Sequence, residues 1–157
     1  MYTVCDYIVL NSYALTKDDF ADPCQSYDGT LCSEYFGKEY IFVREDSNQK
    51  YIEEQLNKAL NTISFSDSCS PYAKKALCMA TLPLCNERTQ EPIQICKEDC
   101  EILDDILCHE EIKLLTDFNG LFGPKIHLPV CSELLETESQ NCISIGIDEL
   151  GKSYLHT

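Results

Sequence analysis

Residues 69–108 read CSPYAKKALCMATLPLCNERTQEPIQICKEDCEILDDILC, with six cysteines separated as C-x8-C-x6-C-x10-C-x3-C-x7-C. Within this stretch Cys96, Cys100, Leu103 and Leu107 recur at steps of four, three and four, the repeat of a single helix face. Both cysteines of that stripe therefore point inward, where they staple helices together. The opposite side carries Lys97, Glu98, Glu101, Asp104, Asp105 and Glu111, a charge run that reads as a solvated face. Before it, Pro71 opens a helix with Ala73, Leu77, Cys78 and Leu84 on its apolar side, and Pro83 limits its continuation.

Outward from this core the ladder continues to Cys24-x7-Cys32 on one side and to Cys131 and Cys142 on the other. With Cys5 the count reaches eleven in 157 residues, several times the usual share. Thiols stay reduced in the cytosol, so such density points to a secreted, disulfide-linked chain. Zinc is the competing use of cysteine, but no C-x2-C pair occurs, and His109, His127 and His156 are scattered. An odd count leaves one sulfur over. Cys5, nineteen residues ahead of its neighbour, is the outlier, free or paired outside this stretch of chain.

Elsewhere, Ile52, Leu56, Leu60 and Ile63 mark an amphipathic helix beginning near Ser47, with Glu53 and Glu54 in its early turns. Residues 40–43 and 7–10 read as short strands, so any sheet is small. Leu114, Leu115, Phe118, Leu121 and Phe122 read as helix and then loop, punctuated by Asn119-Gly120 and Gly123-Pro124. No apolar run approaches the roughly eighteen residues of a membrane helix. The first residues, MYTVCD, lack the basic and apolar regions of a signal peptide, and the expectation is a soluble piece of a longer chain. A net charge of −15 argues against nucleic acid, whose affinity for proteins rests on neutralised phosphates, and suits a basic protein partner.

The ladder from Cys24 to Cys142 resembles that of the Frizzled-type cysteine-rich domains. The stretches CQSYDGTLC (24–32), PLCNERTQEPIQICKEDCEILDDILC (83–108) and ESQNCISIGI (138–147) resemble the receptor tyrosine kinase branch, namely the ROR, muscle-specific and insect neurospecific receptor kinases. The resemblance implies a mainly α, disulfide-rich fold: a helical bundle with a small β-sheet. It also implies five bridges, Cys24 with Cys85, Cys32 with Cys78, Cys69 with Cys108, Cys96 with Cys142, and Cys100 with Cys131. Residues 1–23 would form an N-terminal arm or strand, 24–147 the cysteine-rich domain, and 148–157 a linker.

Function follows as a further implication of the resemblance. The chain would be a non-catalytic ectodomain module on the extracellular side of the plasma membrane, with the kinase elsewhere in a single-pass receptor. Its partner would be a Wnt-class secreted protein or a co-receptor, and no cofactor is implied beyond a bound fatty acid. An apolar groove would take the acyl chain between Leu56, Leu60 and Ile63 on one wall and Leu115, Phe118, Leu121 and Phe122 on the other. Each methylene withdrawn from water contributes about 0.8 kcal/mol, so six to ten of them supply roughly micromolar binding. The residues themselves leave two alternatives open: a closed cavity for a free fatty acid, or a structural co-receptor module with no acyl recognition. Catalysis has no motif to support it, since a cysteine nucleophile needs a free thiolate beside a base.

Overall fold

Asn48, itself extended, starts a helix by accepting the Tyr51 N–H on its Oδ1 at 2.9 Å, which satisfies one of the donors left open at a helix start. The computed structural model describes residues 22–117 and 126–147. In chain order its main elements are β1 (Cys24–Ser26), α1 (Ser33–Phe36), β2 (Tyr40–Phe42), α2 (Gln49–Thr62), α3 (Ser70–Thr81), β3 (Leu84–Asn86) and β4 (Glu91–Ile93). They are followed by α4 (Lys97–Ile102), a π-helical turn (Leu103–Leu107), α5 (His109–Asp117) and two 3-10 turns at Cys131–Glu133 and Thr137–Ser139. Cys5, the expected strand at 7–10, Phe118, Leu121, Phe122 and the linker at 148–157 lie outside the described residues.

The helices follow the apolar spacing, except that α3 ends at Thr81 and Leu84, expected on its apolar face, lies in β3. From α2, Ile52, Leu56 and Ala59 are buried, and from α3, Ala73, Ala76, Leu77, Cys78 and Met79. The two helices pack against each other, and the small residues of α3 permit the close approach. All four members of the Cys96 stripe are buried, at 0–1 % exposure. The helix that carries them is not uniform, because Cys108 N–H reaches back five residues to the Leu103 carbonyl at 2.8 Å. That wider turn is a π-helical one, after which α5 begins at His109.

The sheet is antiparallel with strand order β1-β2-β3-β4, each strand three residues long. Cys24 lies opposite Phe42, Ile41 opposite Leu84, and Leu84 opposite Ile93, so buried Ile41 and Leu84 carry its inner face. Pro92 falls in β4, the edge strand, where a missing N–H costs no ladder bond. Asn86 makes the hairpin turn by accepting the N–H groups of Arg88 and Thr89 on its Oδ1.

Five disulfides join these parts: Cys24–Cys85, Cys32–Cys78, Cys69–Cys108, Cys96–Cys142 and Cys100–Cys131. They are the same pairs that the resemblance implies. The longest closes 61 residues and the shortest 31, and bridges of this kind in small secreted domains contribute about 2–5 kcal/mol each.

Part of the acidic run at 97–111 is not a solvated face. Glu98 accepts the Thr137 N–H and hydroxyl, and Asp99 accepts the Ile145 N–H at 2.9 Å and the Ser144 hydroxyl at 3.0 Å. These carboxylates fasten the C-terminal strap, which also bridges Ile143 to Ile95 in parallel. Glu111 departs furthest from expectation, being buried at 6 % exposure. Periodicity could not reveal this, because its partner is the Ser66 backbone N–H, 45 residues away in sequence.

Candidate functional site

Of the seven residues expected to form a groove, four are described, and they do not meet across one. Leu56 is fully buried, Ile63 is buried at the end of α2, and Leu60 is partly buried against the same core. The α2 stripe is taken up by packing against the rest of the core, so it supplies no open wall. Leu115 is buried on α5, where it lines a small apolar cavity with Phe65, Leu77, Leu103, Ile112 and Leu128. Leu56, Leu60 and Ile63 do not line it.

That cavity has a volume of about 20 Å³, room for roughly one water-sized sphere. Its walls come from α3, the π turn, α5, Phe65 and Leu128. The Cys69–Cys108 bridge closes its floor, tying the start of α3 to the start of α5. Ile112 and Leu115, three apart on α5, are the pair that helical spacing marks for this side. Leu128 was not legible as a wall residue, since nothing local distinguishes it in the segment IHLPV.

Glu111 stands at the cavity's edge and is held by Ser66. Burial pushes its carboxyl upward, but hydrogen bonds from the Ser66 hydroxyl and N–H outweigh that and leave it below the usual glutamate range. The charge is therefore kept, and its oxygens are spent on fixing α5 to the segment before α3. His109 begins α5 in an exposed position with Nδ1 2.9 Å from the Asp104 carbonyl oxygen, which caps the π turn.

A second, polar feature lies at the other end of α2. Glu53 accepts the Tyr27 hydroxyl and the N–H groups of Thr30 at 3.0 Å and Leu31 at 3.1 Å. Gln49, one turn earlier, accepts the Asp28 N–H at 2.9 Å and donates to the Ser26 carbonyl at 2.8 Å. Together they clasp the loop between Cys24 and Cys32 onto α2. Gly29 sits where any Cβ would overlap the Glu53 carboxylate and crowd the Tyr27 hydroxyl. The word YDGT thus has a physical reading that sequence analysis missed: Tyr27, Gly29 and Thr30 are the loop's half of the clasp. Burial and then the Glu53 bond push the Tyr27 hydroxyl up to about 12.

Ten cysteines are committed to bridges and carry no thiolate. Among the described residues no group of three or more His, Cys, Asp or Glu side chains is arranged to hold a metal ion. No described helix is long and apolar enough to cross a membrane.

Comparison with known proteins places these features. The family model described as "Fz domain" matches residues 24–138, from the first cysteine of the ladder to just before the last. The chain is also 32 % identical over 72 residues to the tyrosine-protein kinase transmembrane receptor Ror of Drosophila melanogaster. That match covers 42 % of this chain and 10 % of the receptor, so the chain corresponds to about a tenth of its relative's length.

Proposed function

From the premise that this chain belongs to the Fz domain family, we propose that it is the extracellular ligand-binding module of a single-pass receptor tyrosine kinase, taking a Wnt-class acylated protein, or a fatty acyl chain, at the cavity between α3 and α5. An Fz domain is a non-catalytic ligand-binding module, and kinase activity would reside elsewhere in the receptor. Five bridges call for an oxidising compartment, in keeping with the outer face of the cell.

The observation that carries the acyl reading is an apolar cavity beneath α5, bordered by the partly buried Ile112 and Leu128. A cavity of about 20 Å³ has to widen to admit several methylenes, and in this reading α5 moves away from Leu128 to open it. Isothermal titration with decanoate tests it. Wild-type protein should bind, and Ile112→Asp and Leu128→Asp should each lose binding while circular dichroism stays unchanged. Silence from the wild type, or binding untouched by both substitutions, would remove the acyl site.

The same small volume favours a second reading, in which the domain contacts a co-receptor through its surface and takes no acyl chain. A silent decanoate titration selects it. A fatty acid that survives purification, seen by native mass spectrometry, would instead select a carrier of free acid.

A further inference from the structure

Eight of the ten bridged cysteines are buried, and the two that are partly exposed, Cys131 and Cys142, both lie in the C-terminal strap. Their partners, Cys100 and Cys96, sit one turn apart at the start of α4, where the Cys100 N–H bonds to the Cys96 carbonyl at 3.0 Å. The other three bridges have both ends within residues 24–108 and tie together the sheet, α1, α3 and α5. The bridges therefore divide into a shielded set that holds the body and an accessible pair that joins the strap to α4. A thiolate opens a disulfide by attacking one of its sulfurs, so access to a sulfur decides which bridge exchanges first.

We propose that Cys142 is a thiol-exchange site for a cationic thiol, through which the strap at 131–147 is released from α4 while the three body bridges stay closed. The thiolate attacks Cys142 Sγ and bonds to it, and the S–S bond to Cys96 breaks with its electron pair on Cys96, whose thiolate takes up a proton. A second thiol attacks the reagent's sulfur in the mixed disulfide, which frees Cys142 and leaves the reagent as its own disulfide. The same exchange at Cys131 frees Cys100. Each bridge thus consumes two thiols and yields two cysteine thiols and one reagent disulfide. The preference for a positive thiol follows from the surroundings. Cys142 Sγ lies 3.6 Å from the Glu136 carbonyl oxygen, Glu98 bonds Thr137 and Asp99 bonds Ser144, against Lys97 beside Cys96. An ammonium on the attacking thiol is drawn to these carboxylates, and a sulfonate is repelled.

With both bridges open, the strap is left with the backbone bonds of Ile143 to Gln94 and Cys96, the Lys97 N–H bond to the Leu135 carbonyl, and the Glu98 and Asp99 bonds. The Glu98 bonds and the Ser144 bond are exposed, so water competes for them. Opening loops of 46 and 31 residues restores the chain entropy that the bridges removed, which tips the strap towards release and takes buried Ile145 and Ile147 out of the core. The Cys69–Cys108 bridge under the apolar cavity takes no part in this exchange, so the acyl and co-receptor readings stand or fall separately.

The test uses the full chain, with any thiol that is open at the start blocked by iodoacetamide. Cysteamine or 2-mercaptoethanesulfonate is added without denaturant, and the freed thiols are trapped with N-ethylmaleimide in denaturant and mapped by peptide mass spectrometry. Cys96 and Cys142 should be labelled first and Cys100 and Cys131 next, with the six body cysteines unlabelled. With each thiol's rate scaled to its rate on bis(2-hydroxyethyl) disulfide, cysteamine should react at least about threefold faster than the sulfonate, and added salt should shrink the difference. Amide exchange followed by NMR should then show Ile143 and Ile145 exchanging at least about tenfold faster, with the α2 and α3 amides as protected as before. Early labelling of any body cysteine, equal scaled rates for the two thiols, an Ile145 amide that stays protected, or loss of protection in α2 and α3 would each overturn the assignment.

Discussion

Loop 27–31 and helix α5 are each fastened to the body of the domain by a glutamate, and the two attachments differ. Glu53 collects a hydroxyl and two backbone N–H groups from a five-residue stretch of loop, and Gln49 adds bonds from the next turn. Glu111 has one backbone partner, Ser66, and apart from the Cys69–Cys108 bridge at its start α5 rests on apolar side chains around a small cavity. Directional bonds leave the loop one position, while apolar contact tolerates sliding and repacking. Under the acyl reading proposed above, the part that widens is the one beneath α5, and the loop is the part that holds still.

The largest expected effect at the stiff end comes from its disulfide. Cys32 and Cys78 are both 0 % exposed and close 46 residues, and replacing both by alanine should cost about 2–5 kcal/mol in urea unfolding. Cys96–Cys142 closes the same 46 residues with Cys142 partly exposed, so it supplies a control of equal chain entropy. A smaller loss there would assign the difference to packing, and equal losses would show that loop closure alone matters.

Next in size is Gly29→Ala. The added methyl has to displace the Glu53 carboxylate, and with it up to three hydrogen bonds, at a cost of about 1–3 kcal/mol. Chemical denaturation measures it. A change below a few tenths would mean that Glu53 swings aside freely and the clasp is not the rigid partner in this comparison.

Both glutamates also bear on acid stability. Each carboxyl lies below its usual value in the folded state: burial raises it, and hydrogen bonds, from Tyr27, Thr30 and Leu31 for Glu53 and from Ser66 for Glu111, lower it further than burial raises it. The unfolded chain therefore takes up protons first. The stabilisation is complete above the unfolded value of about 4.3 and is lost as pH falls through the lower folded value. Glu53→Gln should cost about 1 kcal/mol at neutral pH and flatten the acid limb of the stability profile. An unchanged limb would deny Glu53 its bonds in solution.

How far these regions were legible depends on the range of the interactions that make them. The α2 and α3 faces and the Cys96 stripe follow from steps of three and four, which local sequence records. Strands of three residues are too short for alternation to show, and of the described strands only the one at 40–43 carried enough β-branched and aromatic character to be read. The C-terminal strap, the clasp and the Glu111–Ser66 bond join residues 22–46 positions apart, and no local pattern encodes them. The groove residues were an implication of the family resemblance: Leu115 lines the small apolar cavity, while Leu56, Leu60 and Ile63 pack into the core, and helical spacing alone does not distinguish a residue facing a groove from one facing a core.

The smallest effect expected is also the sharpest test of the soft end. Ala73 lines the cavity from α3 and is buried, so Ala73→Val places up to two carbons in or beside the void. Each buried carbon gains about 0.8 kcal/mol if there is room, and the β-branch costs the helix roughly half a kcal/mol. A void of about 20 Å³ has space for little more than one of them, so the net change should be favourable and below about 1 kcal/mol. Decanoate binding, where present, should weaken in the same variant, because the added methyls occupy the space that the chain must enter. A destabilisation above about 1 kcal/mol would mean that the region is already filled, and α5 would then be held as tightly as the clasped loop.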